Sequence, residues 1–316
     1  MSAPFYTIRN YQPADFDKYL QLNSEAEKLE PTGHRISPRG LDEHLGRPNY
    51  SPEQDLFLVE IAGNLTGYLD VLPELAIGRV ILNCRVHPEH RHQGIATRLL
   101  DYALDRAKEL GAKVAHVEVP QDNIVAKRVL SKLGFRFVRR FLHLKIDIAK
   151  VCRQDMKQAT QGCRHLQRGE EDKLTQIQNR SFAGIWGYNP NTVEAITYRI
   201  NLSHCSPEDV VLMCDGDRIT GYCWTEITDE GEAASGERNG RIFMLGTDPH
   251  YRGKGVGKRV LLAGLAHLNN KGLPVAELTV DSENKVACAL YRSVGFEIRT
   301  SSLWYEKVIN QGAGAQ

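Results

Sequence analysis

The sequence lacks a marked excess of either charge, and it lacks any long hydrophobic run. Its 40 Lys and Arg residues nearly balance 39 Asp and Glu residues, which leaves a formal net charge of +1. A near-neutral chain gives no global electrostatic reason to bind nucleic acid or an anionic membrane, so neither is expected as a partner. No apolar stretch approaches the roughly 20 residues that span a bilayer, and the first residues show no charged-then-apolar targeting pattern. We therefore expect a cytoplasmic protein whose 316 residues suffice for two globular cores.

Cysteine pairs with C-x-x-C spacing are also absent. The seven cysteines are odd in number and dispersed, which predicts free thiols in a reducing compartment. They are Cys84, Cys152, Cys163, Cys205, Cys214, Cys223 and Cys288. The cluster His87, His90 and His92 has no companion ligands at a recognisable spacing, so it indicates a solvated polar loop. No metal is expected.

The most informative stretch is basic and rich in glycine. It runs from Thr247 to Arg259, follows the apolar run Ile242–Leu245 and leads into a helical pattern. Residues 252–258 read R-G-K-G-V-G-K. Glycines let backbone N–H groups approach anionic oxygens, and a helix N-terminus adds partial positive charge. The stretch therefore predicts a phosphate site, with a basic turn that only caps a helix as the alternative. A Walker P-loop is excluded because G-x-x-x-x-G-K-[ST] does not occur, and the glycine spacing is not that of a dinucleotide-binding turn.

A related stretch lies 161 residues earlier in the chain. From His87 to Phe135, fifteen of forty-nine positions are identical to their partners at 248–296, without a gap. The identical pairs include Pro88 and Pro249, Arg91 and Arg252, Gly94 and Gly255, Gly111 and Gly272, Asn123 and Asn284, and Phe135 and Phe296. An ungapped match of this length indicates a duplicated domain.

Both copies carry R-x-x-G-x-G/A after a strand, an Asn at the start of a later helix, and a Gly-Phe pair that closes that helix. The motifs read R-H-Q-G-I-A at 91–96 and R-G-K-G-V-G at 252–257. Together they resemble the acetyl-coenzyme A (acetyl-CoA) site of the GNAT N-acetyltransferases, over nearly the whole chain. The resemblance implies an α/β fold, a mixed sheet with flanking helices, in two tandem GNAT-like acyl-CoA acyltransferase domains, with acetyl-CoA as cofactor. In that fold two neighbouring parallel strands splay apart, and the pantetheine arm enters the gap.

The resemblance also implies which residues contact acetyl-CoA. In the second copy they are Leu245, Gly246, Thr247, Arg252, Gly253, Lys254, Gly255, Val256, Gly257, Lys258 and Asn284. In the first copy they are Cys84, Val86, Arg91, His92, Gln93, Gly94, Ile95, Ala96 and Asn123. The two asparagines are expected to be structural or cofactor-contacting rather than catalytic.

Periodicity places the same elements in both copies: a strand, two helices, three strands, then helix, strand, helix and strand. The expected domains are residues 1–148 and 163–310, joined by a polar linker at 149–162 and followed by a disordered tail at 311–316. The segment from Asp229 to Asn239 is rich in Asp, Glu and Gly. It is expected to be a loop that is either mobile or merely solvated.

The two copies differ at one position that matters for acetyl transfer. GNAT enzymes often place a tyrosine on the helix after the Asn, and Tyr291 has that place here, whereas the first copy has Leu130. The ordinary tyrosine pKa of about 10 suits a group that protonates a departing thiolate. We predict that the C-terminal domain is catalytic with Tyr291 as general acid, and that the N-terminal domain keeps a coenzyme site without the acid. The alternative is that Tyr291 only packs in the core.

The general base is less clearly indicated. Glu226 shares one face of a predicted strand with Tyr222 and Trp224, because side chains alternate with a period of two. That face could line a pocket beside the thioester group of acetyl-CoA, so Glu226 is a catalytic candidate. An exposed edge glutamate is the alternative. Deprotonation through water, or capture of the free amine, would need no dedicated residue.

Aromatic residues are the candidates for contact with the acceptor substrate. Trp186 and Tyr188 follow the first helix of the second copy, where this fold usually places substrate-facing residues, and Trp224 joins them. The alternative for Trp186 and Tyr188 is a cover over an apolar core. The strand around Trp224 also resembles the mycothiol synthase family of tandem GNAT enzymes, which acetylate a cysteinyl amine. That family typically has a glutamate where this sequence has Arg241, so its substrate cannot simply be transferred.

These patterns predict an N-acetyltransferase that moves an acetyl group from acetyl-CoA to a primary amine of a small molecule or peptide by direct attack in a ternary complex. The alternative from another class is a non-catalytic acyl-CoA-binding or regulatory module. Within the enzyme class, the resemblance leaves a mycothiol-synthase-like acetyltransferase as the alternative. Because one copy carries Tyr291 as a candidate acid, the sequence favours the enzyme over the binding module. Monomer and homodimer are both compatible with the sequence.

Overall fold

The computed structural model describes residues 5–30, 36–228 and 238–309. The predicted tail at 311–316 and nearly all of the predicted loop between Asp229 and Asn239 lie outside these residues. The chain divides into two compact units, Met1–Arg139 with Ser302–Gln316, and Arg140–Ser301. No helix within the described ranges is both long enough and apolar enough to cross a membrane.

The first unit is built mainly from the first sequence copy. Its elements are β1 (Thr7–Asn10), α1 (Phe16–Leu29), α2 (Pro38–Leu45), α3 (Pro52–Asp55), β2 (Leu56–Ile61), β3 (Asn64–Glu74), β4 (Arg79–Val86), α4 (Ile95–Glu109), β5 (Val114–Pro120) and α5 (Ile124–Lys132). Strands β1 to β4 are antiparallel neighbours in chain order, and β5 lies parallel to β4. The helix that follows the first glycine motif is α4, and it is amphipathic. Its apolar residues Leu99, Leu100, Ala103 and Ala107 recur at helical spacing and are buried against the sheet.

The second unit repeats this arrangement. Its elements are β6 (Arg136–Asp147), which begins at the end of the first unit, α6 (Arg153–Ala159), β7 (Cys163–His165), α7 (Glu171–Phe182), α8 (Val193–Ile200), β8 (Val210–Asp215), β9 (Arg218–Thr228), β10 (Asn239–Thr247), α9 (Val256–Asn270), β11 (Val275–Asp281) and α10 (Lys285–Val294). The last strand, β12 (Glu297–Val308), begins in this unit and from Ser302 onward belongs to the first. Strands β7 to β10 are antiparallel neighbours, and β11 is parallel to β10. The mixed α/β fold with two GNAT-like copies is therefore confirmed.

The last strand of each copy completes the sheet of the unit built from the other copy. Strand β6 pairs with β11 along Phe141–Asp147, and β12 pairs with β5 along Ser302–Val308. Both pairings are antiparallel. The boundaries between the compact units therefore lie near residues 140 and 302. They differ from the boundaries of the expected domains, 1–148 and 163–310. Periodicity identifies a strand, but the choice of its partner depends on tertiary packing.

The expected linker at 149–162 is an integral part of the second unit. It contains the helix α6, and Val151, Met156 and Ala159 are buried in the same core as α9 and β11. Polar residues dominate the composition of this segment, but these three apolar side chains face the core. The segment is therefore not a flexible connection.

Candidate active site

Strands β10 and β11 separate soon after they begin. Their parallel pairing covers only Gly240–Arg241 with Ala276–Glu277. On its other side, β10 stays paired with β9 up to Thr247. Within the described residues, the edge of β10 from Ile242 to Thr247 therefore has no strand partner toward β11. Unpaired backbone N–H and C=O groups in such a gap can accept an extended ligand as an added strand.

The predicted cofactor residues of β10 follow this unpaired edge. Leu245, Gly246 and Thr247 are its last residues, directly before the glycine loop. Gly246 leaves no room for a side chain, because a Cβ there would lie 2.2 Å from Cε1 of Tyr222 and 2.9 Å from Oγ of Ser181. The glycine thus permits β9 and α7 to pack closely beside the gap.

The glycine loop itself has the conformation that its sequence predicts. Gly253 and Gly255 have φ values of +74° and +79°, in the left-handed region where a side chain is strained. Gly255 is the N-cap of α9, and Val256 and Gly257 form the first turn of this helix. The backbone N–H groups of that turn have no helical acceptor, so they are suited to bind an anion.

The positive side chains around the loop are not neutralised by carboxylates. Arg252 donates from Nη2 to the backbone oxygen of Ser181 at 2.8 Å. Lys254 Nζ lies 5.0 Å from the centre of the Tyr251 ring. Neither of these residues nor Lys258 has an acidic partner among the residues that the structure describes. The loop therefore has three cations available for a polyanionic ligand.

Tyr291 lies on α10 and is 7% exposed. Its ring packs edge-on against Phe296, with the ring centres 5.8 Å apart. It shares a core with Cys223 and Val256, which belong to β9 and the start of α9. Burial raises the pKa of the Tyr291 phenol above its ordinary value. Its hydroxyl has no hydrogen-bond partner in the described part of the chain. The phenol O–H is therefore available to donate to a bound ligand.

Glu226 is buried rather than at an exposed edge, with 3% of its surface accessible. Its Oε1 accepts a hydrogen bond from Nη2 of Arg199 at 2.8 Å, which forms an ion pair. The Arg199 guanidinium also lies 3.6 Å from the centre of the Phe243 ring. The exposed-edge alternative for Glu226 is therefore wrong, and one of its two oxygens is already engaged.

Tyr222 and Trp224 are fully buried beneath α7 and α8, on the same face of β9 as Glu226. The Tyr222 hydroxyl and the Trp224 indole N–H have no hydrogen-bond partner in the structure as described. Trp224 packs edge-on against Phe243 at 5.3 Å. In this conformation Trp224 forms part of the core, and its contact with an acceptor stays a prediction.

The other two predicted acceptor residues lie in the turn after α7 and are half-buried. Tyr188 stacks on Phe182 at 5.1 Å and donates its hydroxyl hydrogen to Oδ1 of Asn179 at 2.7 Å. Trp186 lies 6.0 Å from Phe141 on β6. Packing thus accounts for both rings, and their role toward a substrate is untested.

The paired asparagines have a structural task. Oδ1 of Asn284 accepts from the N–H of Ala287 at 3.1 Å, and Oδ1 of Asn123 accepts from the N–H of Ala126 at 2.9 Å. Each asparagine therefore caps the helix that follows it, α10 or α5. Because each amide oxygen is engaged in the cap, the amide nitrogens are the groups that could contact a cofactor.

The first unit keeps the gap but has a different loop. Strands β4 and β5 pair only from Arg79 to Ile81, and β4 then diverges, with Cys84 exposed and Val86 buried. Gly94 caps α4 with a φ of +80°. His92 occupies the position that matches Gly253 and has a φ of +62°, which is strained for a residue with a side chain.

The charges of this first loop are also altered. Nη1 and Nη2 of Arg91 donate to the two carboxylate oxygens of Glu30, at 2.7 and 2.6 Å. Gln93 and Thr97 stand where the second copy has lysines. Ile95 is buried and Ala96 is partly buried in the core of the unit, and Leu130 is buried where the second copy has Tyr291. This unit therefore has a buried leucine in the place of the acid, and its coenzyme site stays a prediction.

The acetyltransferase (GNAT) family model matches residues 20–135 and 172–296, once in each copy. The chain belongs to this family. It is therefore an N-acetyltransferase, and the family fold is one that uses acyl-CoA. The predicted enzyme class is confirmed.

Proteins similar in sequence to this chain are mycothiol acetyltransferases. The chain is 31% identical over 236 residues to a mycothiol acetyltransferase of Thermobifida fusca, covering 71% of this chain and 73% of that one. It is 29% identical over 294 residues to the mycothiol acetyltransferase of Actinosynnema mirum, covering 90% and 93%. The predicted similarity to mycothiol synthase is confirmed.

Solved structures share the fold across the whole chain. A GCN5-related N-acetyltransferase from Sphaerobacter thermophilus has a TM-score of 0.71 at 20% identity, covering 100% of this chain and 99% of that one. A tandem GNAT protein from the clavulanic acid biosynthesis pathway has a TM-score of 0.70 at 14% identity, covering 96% and 99%.

Several residues of the site were not predicted from the sequence. Arg199 on α8 pairs with Glu226, and the Ser181 hydroxyl and Gln178 side-chain oxygen on α7 are buried without a hydrogen-bond partner among the described residues. Glu30 binds the first-copy arginine. Each relationship joins residues far apart in the chain, and neither spacing nor composition signals it.

Proposed function

We propose that the second unit transfers an acetyl group from acetyl-CoA to a primary amine of a small molecule or peptide, by direct attack in a ternary complex, with Tyr291 as general acid. The observation that carries this proposal is the buried phenol of Tyr291, which has no hydrogen-bond partner among the described residues and shares a core with Val256 at the start of α9. The first unit has Leu130 in its place.

The coenzyme's pyrophosphate would bind at the start of α9. The N–H groups that follow Gly255 point outward from a helix N-terminus, and Arg252, Lys254 and Lys258 add positive charge. The pantetheine arm would lie against Leu245–Thr247, where β10 lacks a partner toward β11. Acetyl-CoA is proposed as the acyl donor because the chain's relatives are acetyltransferases.

The proton balance assigns one task to Tyr291. The free amine attacks the thioester carbonyl carbon, the carbon–sulfur bond breaks, and the thiolate of coenzyme A takes the phenol proton. The phenolate is then reprotonated from water. Burial raises the pKa of Tyr291, which keeps the phenol protonated in the resting enzyme and makes it a weaker proton donor than an exposed tyrosine.

The incoming ammonium must lose its proton before attack. Glu226 is not assigned this task, because Arg199 occupies one of its oxygens and the side chain is almost wholly buried. Deprotonation by solvent, or capture of the free-amine fraction, is sufficient. The rate should therefore rise with pH as the amine loses its proton.

The acceptor is constrained by one departure from the mycothiol synthase family. Arg241 stands directly opposite Glu226 in the β9–β10 pairing, at the closed end of the gap. A cation replaces the glutamate typical of that family. The acceptor of the mycothiol acetyltransferases is therefore not transferred to this chain, and a mycothiol-synthase-like acetyltransferase stays the alternative within the enzyme class.

The test combines acetyl-CoA calorimetry with a free-thiol release assay over a panel of primary amines. The wild type is compared with Gly255→Glu, and Gly94→Glu is the matched change in the first unit. We expect thiol release that is abolished by Gly255→Glu and retained by Gly94→Glu. Coenzyme binding without thiol release from any amine would favour the alternative of a binding or regulatory module. Equal loss in both variants would contradict the assignment to the second unit.

A further inference from the structure

A group of three potential metal ligands lies outside the glycine loop and the strand gap. It comprises His204, Cys205 and Glu226, whose ligating atoms all lie within 4.8 Å of one another. Cys205 Sγ is 3.9 Å from Oε1 of Glu226. The first two residues come from the segment between α8 and β8, and the third from β9. The fold therefore gathers a nitrogen, a sulfur and an oxygen donor from two separate segments.

We propose that His204, Cys205 and Glu226 form a binding site for a divalent transition metal, with Zn²⁺ as the best match. Imidazole, thiolate and carboxylate are all zinc ligands, and a three-ligand set leaves one tetrahedral position for water or another molecule. Magnesium and calcium require oxygen donors, so this mixed set disfavours them.

Arg199 fits this site as a group that orients the carboxylate. Its Nη2 contacts Oε1 of Glu226 at 2.8 Å, and Oε2 has no partner among the residues described. Carboxylates that bind metals are commonly held by such an outer hydrogen bond. The ion pair therefore leaves one oxygen for the metal.

Charge and access are also compatible with a metal. Metal binding would replace the thiol proton of Cys205, which is released to the buffer, and the thiolate with the carboxylate would balance a 2+ ion. His204 is exposed and Cys205 is half-buried, which gives the ion a route from solvent.

The metal would connect the segment after α8 to β9, the strand that also carries Tyr222 and Trp224. It is independent of the proposal for acetyl transfer. Its consequence would be a more stable second unit when the ion is bound, because a ligand that binds only the folded state stabilises it.

The test is a titration of Co²⁺ into chelator-treated full-length protein, followed by absorption spectroscopy. Co²⁺ reports sulfur ligation through a thiolate charge-transfer band. This band separates the proposed site from His87, Glu89 and His90, a second close group that contains no sulfur. We expect the band to saturate at one equivalent and to be displaced by Zn²⁺.

Variants assign the band to its residues. Cys205→Ser should abolish it, and His204→Ala, an exposed change, should weaken Co²⁺ binding at least about tenfold. Cys214→Ser is the matched control and should leave the band and affinity unchanged. Zn²⁺ should raise the melting temperature of the wild type and of Cys214→Ser, but not of Cys205→Ser.

The absence of a sulfur band, or its persistence in Cys205→Ser, would overturn the proposal. Thiol release is measured separately on the same preparations. Turnover without a cobalt band would leave acetyl transfer standing and remove the metal site. A cobalt band without turnover would support the metal site and contradict the proposal for acetyl transfer.

Discussion

Arg91 forms two hydrogen bonds with the carboxylate of Glu30, at 2.7 and 2.6 Å. Its counterpart in the second copy, Arg252, has no carboxylate partner among the described residues and instead contacts the backbone oxygen of Ser181. The duplicated arginine has thus been kept in both copies, but its surroundings differ. Only the second is electrostatically available to a phosphate.

The first prediction follows from this contrast. Arg252→Ala should weaken acetyl-CoA binding by about 10- to 100-fold, since a charge-assisted hydrogen bond contributes about 1.5–3 kcal/mol. Arg91→Ala should change the affinity less than threefold, because its charge is already paired with Glu30. Isothermal titration calorimetry on both variants measures this difference. Equal effects would show that the two loops bind the coenzyme alike.

The second prediction concerns the acid. Tyr291→Phe should lower kcat about 10²- to 10⁴-fold, the range typical of a lost general acid or base. The acetyl-CoA dissociation constant should change less than twofold. The melting temperature should barely change, because the removed hydroxyl has no hydrogen bond within the described structure. Tyr251→Phe is the control, since the Tyr251 hydroxyl donates a hydrogen bond to Oδ2 of Asp215, which is exposed. An unchanged kcat for Tyr291→Phe would assign Tyr291 to packing alone.

The third prediction is a dependence of stability on alkaline pH. Burial raises the pKa values of Tyr19, Tyr222 and Tyr291 above the ordinary value of about 10. Their contribution to the free energy of unfolding is therefore fully present below pH 10 and is lost as pH rises toward the folded-state values. Each phenol contributes a slope of up to about 1.4 kcal/mol per pH unit there. In urea unfolding at pH 9 and above, the free energy of unfolding should fall less steeply with pH for Tyr291→Phe than for the wild type. Identical slopes would contradict the burial of this phenol.

The fourth prediction tests the close packing beside the gap. Gly246→Ala places a Cβ 2.2 Å from the Tyr222 ring, and such overpacking costs about 1–3 kcal/mol. Gly257→Ala is the control, because its Cβ would lie 3.3 Å from Thr247 Oγ1 and the position is helical. Its stability should stay near that of the wild type. Denaturant unfolding monitors both. A Gly246→Ala protein as stable as the control would mean that β9 and α7 are not tightly packed here.

The fifth prediction follows from the exchanged strands. A fragment of residues 1–148 should fail to fold alone, because it lacks β12, which pairs with β5, and it lacks the buried residues Leu303 of β12 and Ile309 directly after it, both part of the first core. An unpaired β5 edge would also promote aggregation. Circular dichroism and light scattering on the fragment test this expectation. Coexpression with residues 149–316 should restore a soluble, folded protein. A stable, monomeric 1–148 fragment would contradict the exchange.

Much of the fold was predictable because its signals are local. The ungapped repeat identified two copies, and the hydrophobic period located α4, α9 and the strands around them. The glycine loop was also recognisable, since only glycine readily adopts the φ of +79° at Gly255. The acid candidate Tyr291 was identified by comparing the two copies at one position. Its burial was not evident from the sequence, because an amphipathic helix does not show how deeply a residue will lie.

The sequence by itself determined the element order, the duplication, the phosphate-binding turn and the family, because each depends on residues close together in the chain. Tertiary structure alone decided which strand completes which sheet, that Arg199 engages Glu226, that Glu30 occupies Arg91, and that His204 and Cys205 meet Glu226. These relationships join segments separated by 21 or more residues. Their physical basis is the packing of whole units, in which a charged or strand-forming residue takes whichever partner the fold brings within reach.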